Sequence, residues 1–185
     1  MRKYPVSKVY RLLEPGPVVL VTTRPKNGPP NVMTMGFHMV IQHDRPPLIG
    51  CIIGPWDHSY TALRDTGECV IAIPGADLAE KMVDIGNCSG QNTDKFTRFG
   101  FTQSKAKTVS APLIADCLAN IECHVSDTTM VERLSLWILE PRAAWISPDR
   151  PEQRTLHHRG DGTFTIDGPV INLQDRMILW KQFQD

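Results

Sequence analysis

Short apolar runs, separated by proline, glycine and asparagine, recur along the chain. "PGPVVLVTTRP" reads as a strand, because Val18, Val19, Leu20 and Val21 are apolar or β-branched and the flanking residues break it. "KNGPP" follows as a turn, with Asn27-Gly28 able to supply positive φ. "NVMTMGFHMV" alternates with period two. Val32, Thr34, Gly36 and His38 face one way, while Met33, Met35, Phe37 and Met39 face the expected core. "QHDRPP" is a further turn and "LIGCII" a short buried strand.

The period then changes. "WDHSYTALRDTG" predicts a helix from Ser59 to Asp65, begun by Asp57 or His58, with Asp57 the better cap, and closed by Gly67. "ECVIAIP" returns to strand. "GADLAEKMVDIG" predicts a helix with Leu78, Met82 and Ile85 as its apolar stripe. "CSGQN" is loop, and Asn92 or Thr93 can cap a short helix through "DKFTRFG". A long strand is expected near 117–125. Another, "SLWILEPRAAWIS", should bulge or bend at Glu140-Pro141. "RGDGTFTIDGP" is a glycine-rich turn segment, and the tail "QDRMILWKQF" is amphipathic. Many strands, short helices and no βαβαβ rhythm argue for a mainly β fold. The expectation is one domain over residues 1–185, an antiparallel barrel with short peripheral helices.

Composition narrows the function classes. With 185 residues and 41% hydrophobic content, the chain can bury a substantial core. Twenty basic and twenty acidic residues cancel, which gives no support to generic nucleic-acid or anionic-membrane binding. "MRKYPVSKVY" has no apolar segment typical of a signal peptide, and no run is long enough to span a bilayer. Cys51, Cys69, Cys88, Cys117 and Cys123 are odd in number and irregularly spaced, so reduced thiols and a cytoplasmic location are expected.

Candidate chemistry is then limited. The histidines His38, His43, His58, His124, His157 and His158 form no helical metal pair, and no metal is expected. Cys51, Cys69 and Cys117 suit the role of small buried hydrophobes, whereas Cys88 has the better claim to exposure. Phosphate binding has more support. Ser59, Thr61 and Arg64 surround a helix start, where N–H groups, hydroxyls and a guanidinium can receive an anion. They can equally belong to an ordinary surface helix. In "CSGQNTDKFTRFGF", Ser89 and Gly90 permit a tight bend, Asp94 can accept a cap bond, and Lys95 is a cation. Phe96 and Phe99 are spaced to pack inward. The segment can be a docked helix or a lid over a flat conjugated ligand.

Taken in order, "PGPVVLVTT", "NVMTMGF", "PPLIGCIIGP", "HSYTALRDTGECVIAIP", "CSGQNTDKFTRFGFT", "VSAPLIADCLANIECHV" and "HRGDGTFTIDG" cover nearly the whole chain. Together they resemble the flavin reductase-like family, and its flavoredoxin-type members in particular. The resemblance implies an FMN-binding split barrel, six-stranded, antiparallel and of Greek-key topology, assembled as a homodimer with FMN near the interface. It places Thr34, Met35 and Gly36 along the isoalloxazine, with Asn31 bracing the turn. Ser59, Thr61 and Arg64, with His58 beside them, fall to the phosphate side. Ser89, Asp94, Lys95 and Phe96 lie over the reactive side, where Lys95 and Asp94 are the catalytic candidates. The chain departs from the pattern after Thr34: many members carry a small hydroxyl residue and an aromatic there, and here Met35 and Gly36 stand.

The implied function is an NAD(P)H-dependent flavin or ferric reductase, or a flavoredoxin-like electron-transfer protein with a redox partner protein. NADH or NADPH would be the donor, although no Rossmann fingerprint is present. In such proteins the flavin carries the redox chemistry. The alternatives are an FMN carrier without efficient NAD(P)H turnover, a storage or structural relative, and a pyridoxamine phosphate oxidase-like enzyme.

Overall fold

The computed structural model describes residues 16–42, 45–176 and 178. The basic stretch at 1–10 and most of the amphipathic tail read at 174–183 fall outside them, as do residues 43–44 of the turn at 42–47. Seven strands form the main sheet: β1 (Val19–Thr23), β2 (Asn31–Met35), β3 (His38–Gln42), β4 (Leu48–Ile52), β5 (Glu68–Ile73), β8 (Ala119–Asp127) and β9 (Leu136–Ile146). Their order is β2-β1-β5-β8-β9-β4-β3. Every pairing is antiparallel. Two small ladders stand apart, one of β6 (Gln103–Ser104) and β7 (Leu113–Ile114), the other of β10 (Leu156–His158) and β11 (Phe164–Ile166).

This arrangement corrects the expected closed six-stranded Greek-key barrel. The fold is mixed α/β, with an open, curled sheet of seven strands. The apparently continuous "NVMTMGFHMV" supplies both edges. β2 pairs only with β1, and β3 only with β4. The chain turns between them at Gly36-Phe37, and Ile52 N–H donates to Phe37 O at 3.0 Å. Sequence neighbours thus become opposite rims, and the sheet must curl for so short a link to join them. The two rims exchange no ladder bonds. The alternation expected to point inward also stops at this corner: Met35 is buried, but Phe37 and Met39 are exposed.

β1 is buried at every position, and period-two geometry shares it between two cores. Val19 and Val21 join Met35, Cys51, Leu63, Cys69, Ile71, Cys123, Trp137 and Leu139 in one cluster. Trp137 anchors this side, since its indole N–H donates to Ile53 O at 2.8 Å. Val18 and Leu20 instead meet Val32, Met82, Ile85, Phe96 and Leu156.

Two of the helices, at 79–86 and 95–99, cover this second side, while those at 59–66 and 131–134 pack Leu63 and Val131 against the first. α1 (Ser59–Thr66) ends at Gly67 with φ 67°, as the sequence predicts. Its N-cap is His58, which makes no side-chain cap bond; Asp57 instead accepts from Gly54 N–H at 2.9 Å. α2 (Ala79–Gly86) buries Met82 and Ile85. α3 (Lys95–Phe99) is capped by Asp94, not by Asn92 or Thr93, and closes at Gly100 with φ 63°. α4 (Val131–Leu134) precedes β9. The β8–β9 register shifts between Glu122, opposite Ala143, and Cys123, opposite Pro141, which puts the expected irregularity beside Pro141. Among the described residues no helix is long and apolar enough to cross a membrane.

Candidate functional site

Three segments converge at the outer rim of β2: the turn before α1, the loop from α2 to α3, and β2 itself. They enclose a cavity of about 300 Å³ lined by Asn31, Met33, Thr34, His58, Ser89 and Lys95, among others. An outer compartment of about 460 Å³ adjoins it. Asn31, His58 and Gly90 line both. Asp94 lines the outer part together with Asn27, Gly28, Gln91, Asn92 and Thr93.

Asn31 is the pivot. It is 7% exposed, and its Nδ2 donates to the wholly buried Ser59 Oγ at 2.9 Å. Its Oδ1 is buried and has no hydrogen-bond partner. A buried carbonyl oxygen left unpaired is costly, and its usual explanation is a missing partner. Gly90 packs directly on it: a Cβ there would come within 2.6 Å of Asn31 Cγ and 2.7 Å of His58 Cδ2. The glycine that reads as a bend former in sequence is therefore required for close approach.

Lys95 is unusual for a lysine in being only 5% exposed. Its ammonium donates to Ile85 O at 2.9 Å, which holds it at the C-terminal end of α2. Burial lowers its pKa, against the opposing pull of Cys88 and Asp57. Cys88 lines the same cavity, with its Sγ 3.8 Å from Ile85 O. Asp94 uses its carboxylate locally: Oδ1 accepts from Thr97 N–H at 3.1 Å and Oδ2 from Thr97 Oγ1 at 2.6 Å. The Thr97 hydroxyl and backbone bonds lower its pKa. Replacing Asp94 by alanine should lower the melting temperature modestly and loosen the helix that carries Lys95; amide exchange across residues 95–99 would read this, and unchanged protection would refute it.

The remaining expected residues separate. Thr34 lines the cavity, and its hydroxyl donates to Met82 O at 2.6 Å, fastening β2 to α2. Gly36 lines a neighbouring apolar chamber. Ser89 lines the inner compartment and accepts from Gln91 N–H at 3.2 Å. Met35 and Phe96 face the two cores. Thr61 and Arg64 are exposed on α1 and line neither compartment; Arg64 lies over the Tyr60 ring, 5.8 Å from its centroid. Trp56 and Asn87 are cavity residues that the sequence pattern did not single out, Met33 was expected in the core, and Cys88 was expected only as the more exposed thiol. No spacing signal marks Trp56, Asn87 and Cys88 as cavity residues, because they lie in turns that loop closure brings there. Among the described residues no group of three or more metal-ligating side chains forms.

The arrangement is a polar, partly enclosed cleft with one buried cation, one unsatisfied acceptor and a glycine-thin wall. Such a site can receive a ligand bearing both N–H donors and anionic or carbonyl oxygens. The profile of the flavin reductase-like domain matches residues 11–165. The chain belongs to the flavin reductase-like family.

Its relatives are spread widely. An uncharacterized protein of Archaeoglobus fulgidus is 32% identical over 96 residues, 52% of this chain and 54% of that one, so the match spans about half of each. Two solved structures share the fold. A flavin reductases-like enzyme's FMN-binding domain from Shewanella baltica has a TM-score of 0.77 at 23% identity, covering 91% of this chain and 95% of that one. The flavoredoxin of Desulfovibrio vulgaris has a TM-score of 0.81 at 21% identity, covering 93% and 96%. At these identities the structural matches speak for the fold.

Proposed function

We propose that this flavin reductase-like chain binds FMN in the compartments around Asn31 and Lys95. In this reading it works as an oxidoreductase or electron carrier, with NADH or NADPH as donor. The observation that carries the reading is the buried, unpartnered Asn31 Oδ1 beneath Gly90, in the same cavity as the Lys95 ammonium. A flavin has an N–H donor for the first and electron-rich oxygens for the second. The FMN named for the Shewanella baltica domain supports the same choice.

Asn31, His58 and Ser89 would hold the polar parts of FMN, and the Gly90–Asp94 backbone would enclose them. Ser59 acts from behind, orienting Asn31 through the 2.9 Å bond. Lys95 is the candidate catalytic group, since a buried cation favours the anionic, reduced form of a ligand beside it. Asp94 would position it by capping α3. Bound FMN would supply the electron exchange, and the chain supplies binding, orientation and exclusion of water.

A purified sample answers the first question. The released chromophore should be FMN, or added FMN should bind stoichiometrically; a colourless protein that ignores FMN overturns the proposal. Replacing Gly90 by valine should weaken FMN binding by about a hundredfold or more, because the added side chain would occupy the space against Asn31 and His58. Anaerobic mixing with NADH or NADPH separates reductase from pure carrier: rapid bleaching supports the former.

A second copy of this chain is the proposed partner, in a cytoplasm that suits its five free thiols. Edge strand β3 supports it, with Met39 51% and Val40 75% exposed, next to Phe37 at 58%. Long exposed apolar edges invite pairing. Val40→Lys should shift sedimentation from dimer to monomer, and an unchanged mass would remove this edge from the interface.

A further inference from the structure

A second chamber of about 360 Å³ lies beside the polar cavity. Val18, Met82, Val83, His158 and Phe164 are among its walls. Thr34 and Gly86 line both spaces, so what separates them is thin. We infer that this chamber is a subsite for a small, uncharged, planar conjugated molecule, the second ligand of the proposed FMN site.

Three observations lead there. The first is chemistry: no lysine or arginine is among the described wall residues. The phosphates of a nicotinamide dinucleotide would find no cationic partner inside. The second is shape. The His158 and Phe164 rings sit 5.0 Å apart between centroids at 40°, forming one aromatic wall. Gly162 N–H donates to His158 Nε2 at 3.3 Å, which makes that nitrogen an acceptor and ties the ring to the loop joining β10 and β11. A flat ring system can stack on such a wall at the usual aromatic spacing. The third is size, because about 360 Å³ is near the lower end of the roughly 300–1,000 Å³ usual for ligand sites.

The chamber is also built rather than incidental. The Leu156 end of the β10–β11 ladder is tied to the main body and closed on itself. Val18 N–H donates to Leu156 O at 2.7 Å. Asp167 accepts from Thr155 N–H at 2.8 Å and from the Thr155 hydroxyl at 2.7 Å, and stands 2.6 Å from His157 Nε2. On the opposite side, the Thr34–Met82 bond fixes α2 to β2. These bonds anchor the base of the aromatic wall and the helix that faces it.

The probe is 2-naphthol, an uncharged planar bicycle, compared with 2-naphthalenesulfonate, its anionic counterpart. Binding is measured by equilibrium dialysis against the purified chain and against Val83→Trp, and FMN retention is read separately from visible absorbance. Val83 is 41% exposed on α2, outside the polar cavity, so an indole there fills the chamber without entering the FMN compartments. The expected result is naphthol binding weakened at least about tenfold in Val83→Trp, with FMN retention unchanged and the sulfonate bound more weakly than naphthol by the unmodified chain. Equal naphthol binding by both proteins overturns the chamber assignment. Sulfonate binding as tight as naphthol overturns the uncharged class. Loss of FMN from both proteins, with the naphthol difference intact, counts against the cofactor and leaves the subsite standing.

Discussion

Glu122→Ala should lower the unfolding free energy at neutral pH by about 3 kcal/mol, because several N–H and O–H donors lose a buried carboxylate at once. Glu122 on β8 is completely buried. Its oxygens accept from Lys107 N–H at 3.0 and 3.1 Å, from Thr108 N–H and hydroxyl, and from the Trp145 indole at 2.7 Å. One side chain thus joins β8, β9 and the segment between β6 and β7. Desolvation pushes its pKa upward, but the Lys107, Thr108 and Trp145 bonds outweigh it and bring the value down to about 2. The folded pKa lies below the unfolded one. The stabilisation is therefore complete above about pH 4.5 and is lost as pH falls toward 2. Denaturant titrations should show the two proteins furthest apart at neutral pH and converging in acid. A constant gap across that range would exclude the carboxylate as its source.

Lys95→Met should leave the fold largely intact and weaken FMN binding by about ten- to a hundredfold, the usual worth of a buried charged hydrogen bond. The methionine fills a similar volume where the lysine stem is buried, so the loss isolates the ammonium. The reduction potential of any FMN still bound should fall, because the reduced anion loses its cation. Spectroelectrochemical titration reads that shift, and amide exchange checks α3. An unchanged potential and affinity would make Lys95 a structural tie to Ile85 O and nothing more. A drop in affinity with melted α3 would point to the same structural role.

Much of the local structure was legible because it depends on short-range chemistry. β1 is a run of apolar and β-branched residues, and α1 stops at Gly67 because only a left-handed residue closes it so readily. The stripe of Leu78, Met82 and Ile85 faced inward as its spacing requires. Caps were less legible. Asp57, Asn92 and Thr93 are all competent acceptors, and which one caps depends on where the backbone turns. The structure uses Asp57 on Gly54 N–H and gives α3 to Asp94.

The site was legible in part, for a related reason. Asn31, Thr34, His58, Ser89 and Lys95 carry chemistry that a reader notices, and the fold brings them to one cavity. Thr61 and Arg64 carry similar chemistry but face outward on α1. Gly90 stands out only once Asn31 is seen pressed against it.

By itself the amino-acid sequence determined most strands of the main sheet, the three helices at 59–66, 79–86 and 95–99, the family, and Asn31, Thr34, His58, Ser89 and Lys95 of the polar cavity, because propensity, periodicity and motif order are local properties. Tertiary structure alone decided that "NVMTMGFHMV" breaks into two opposite rims of one open sheet. Alternation tells which way a side chain points and carries no information about which strand lies beside it; that choice belongs to the hydrogen-bond ladders and to the helices packed along the free edge.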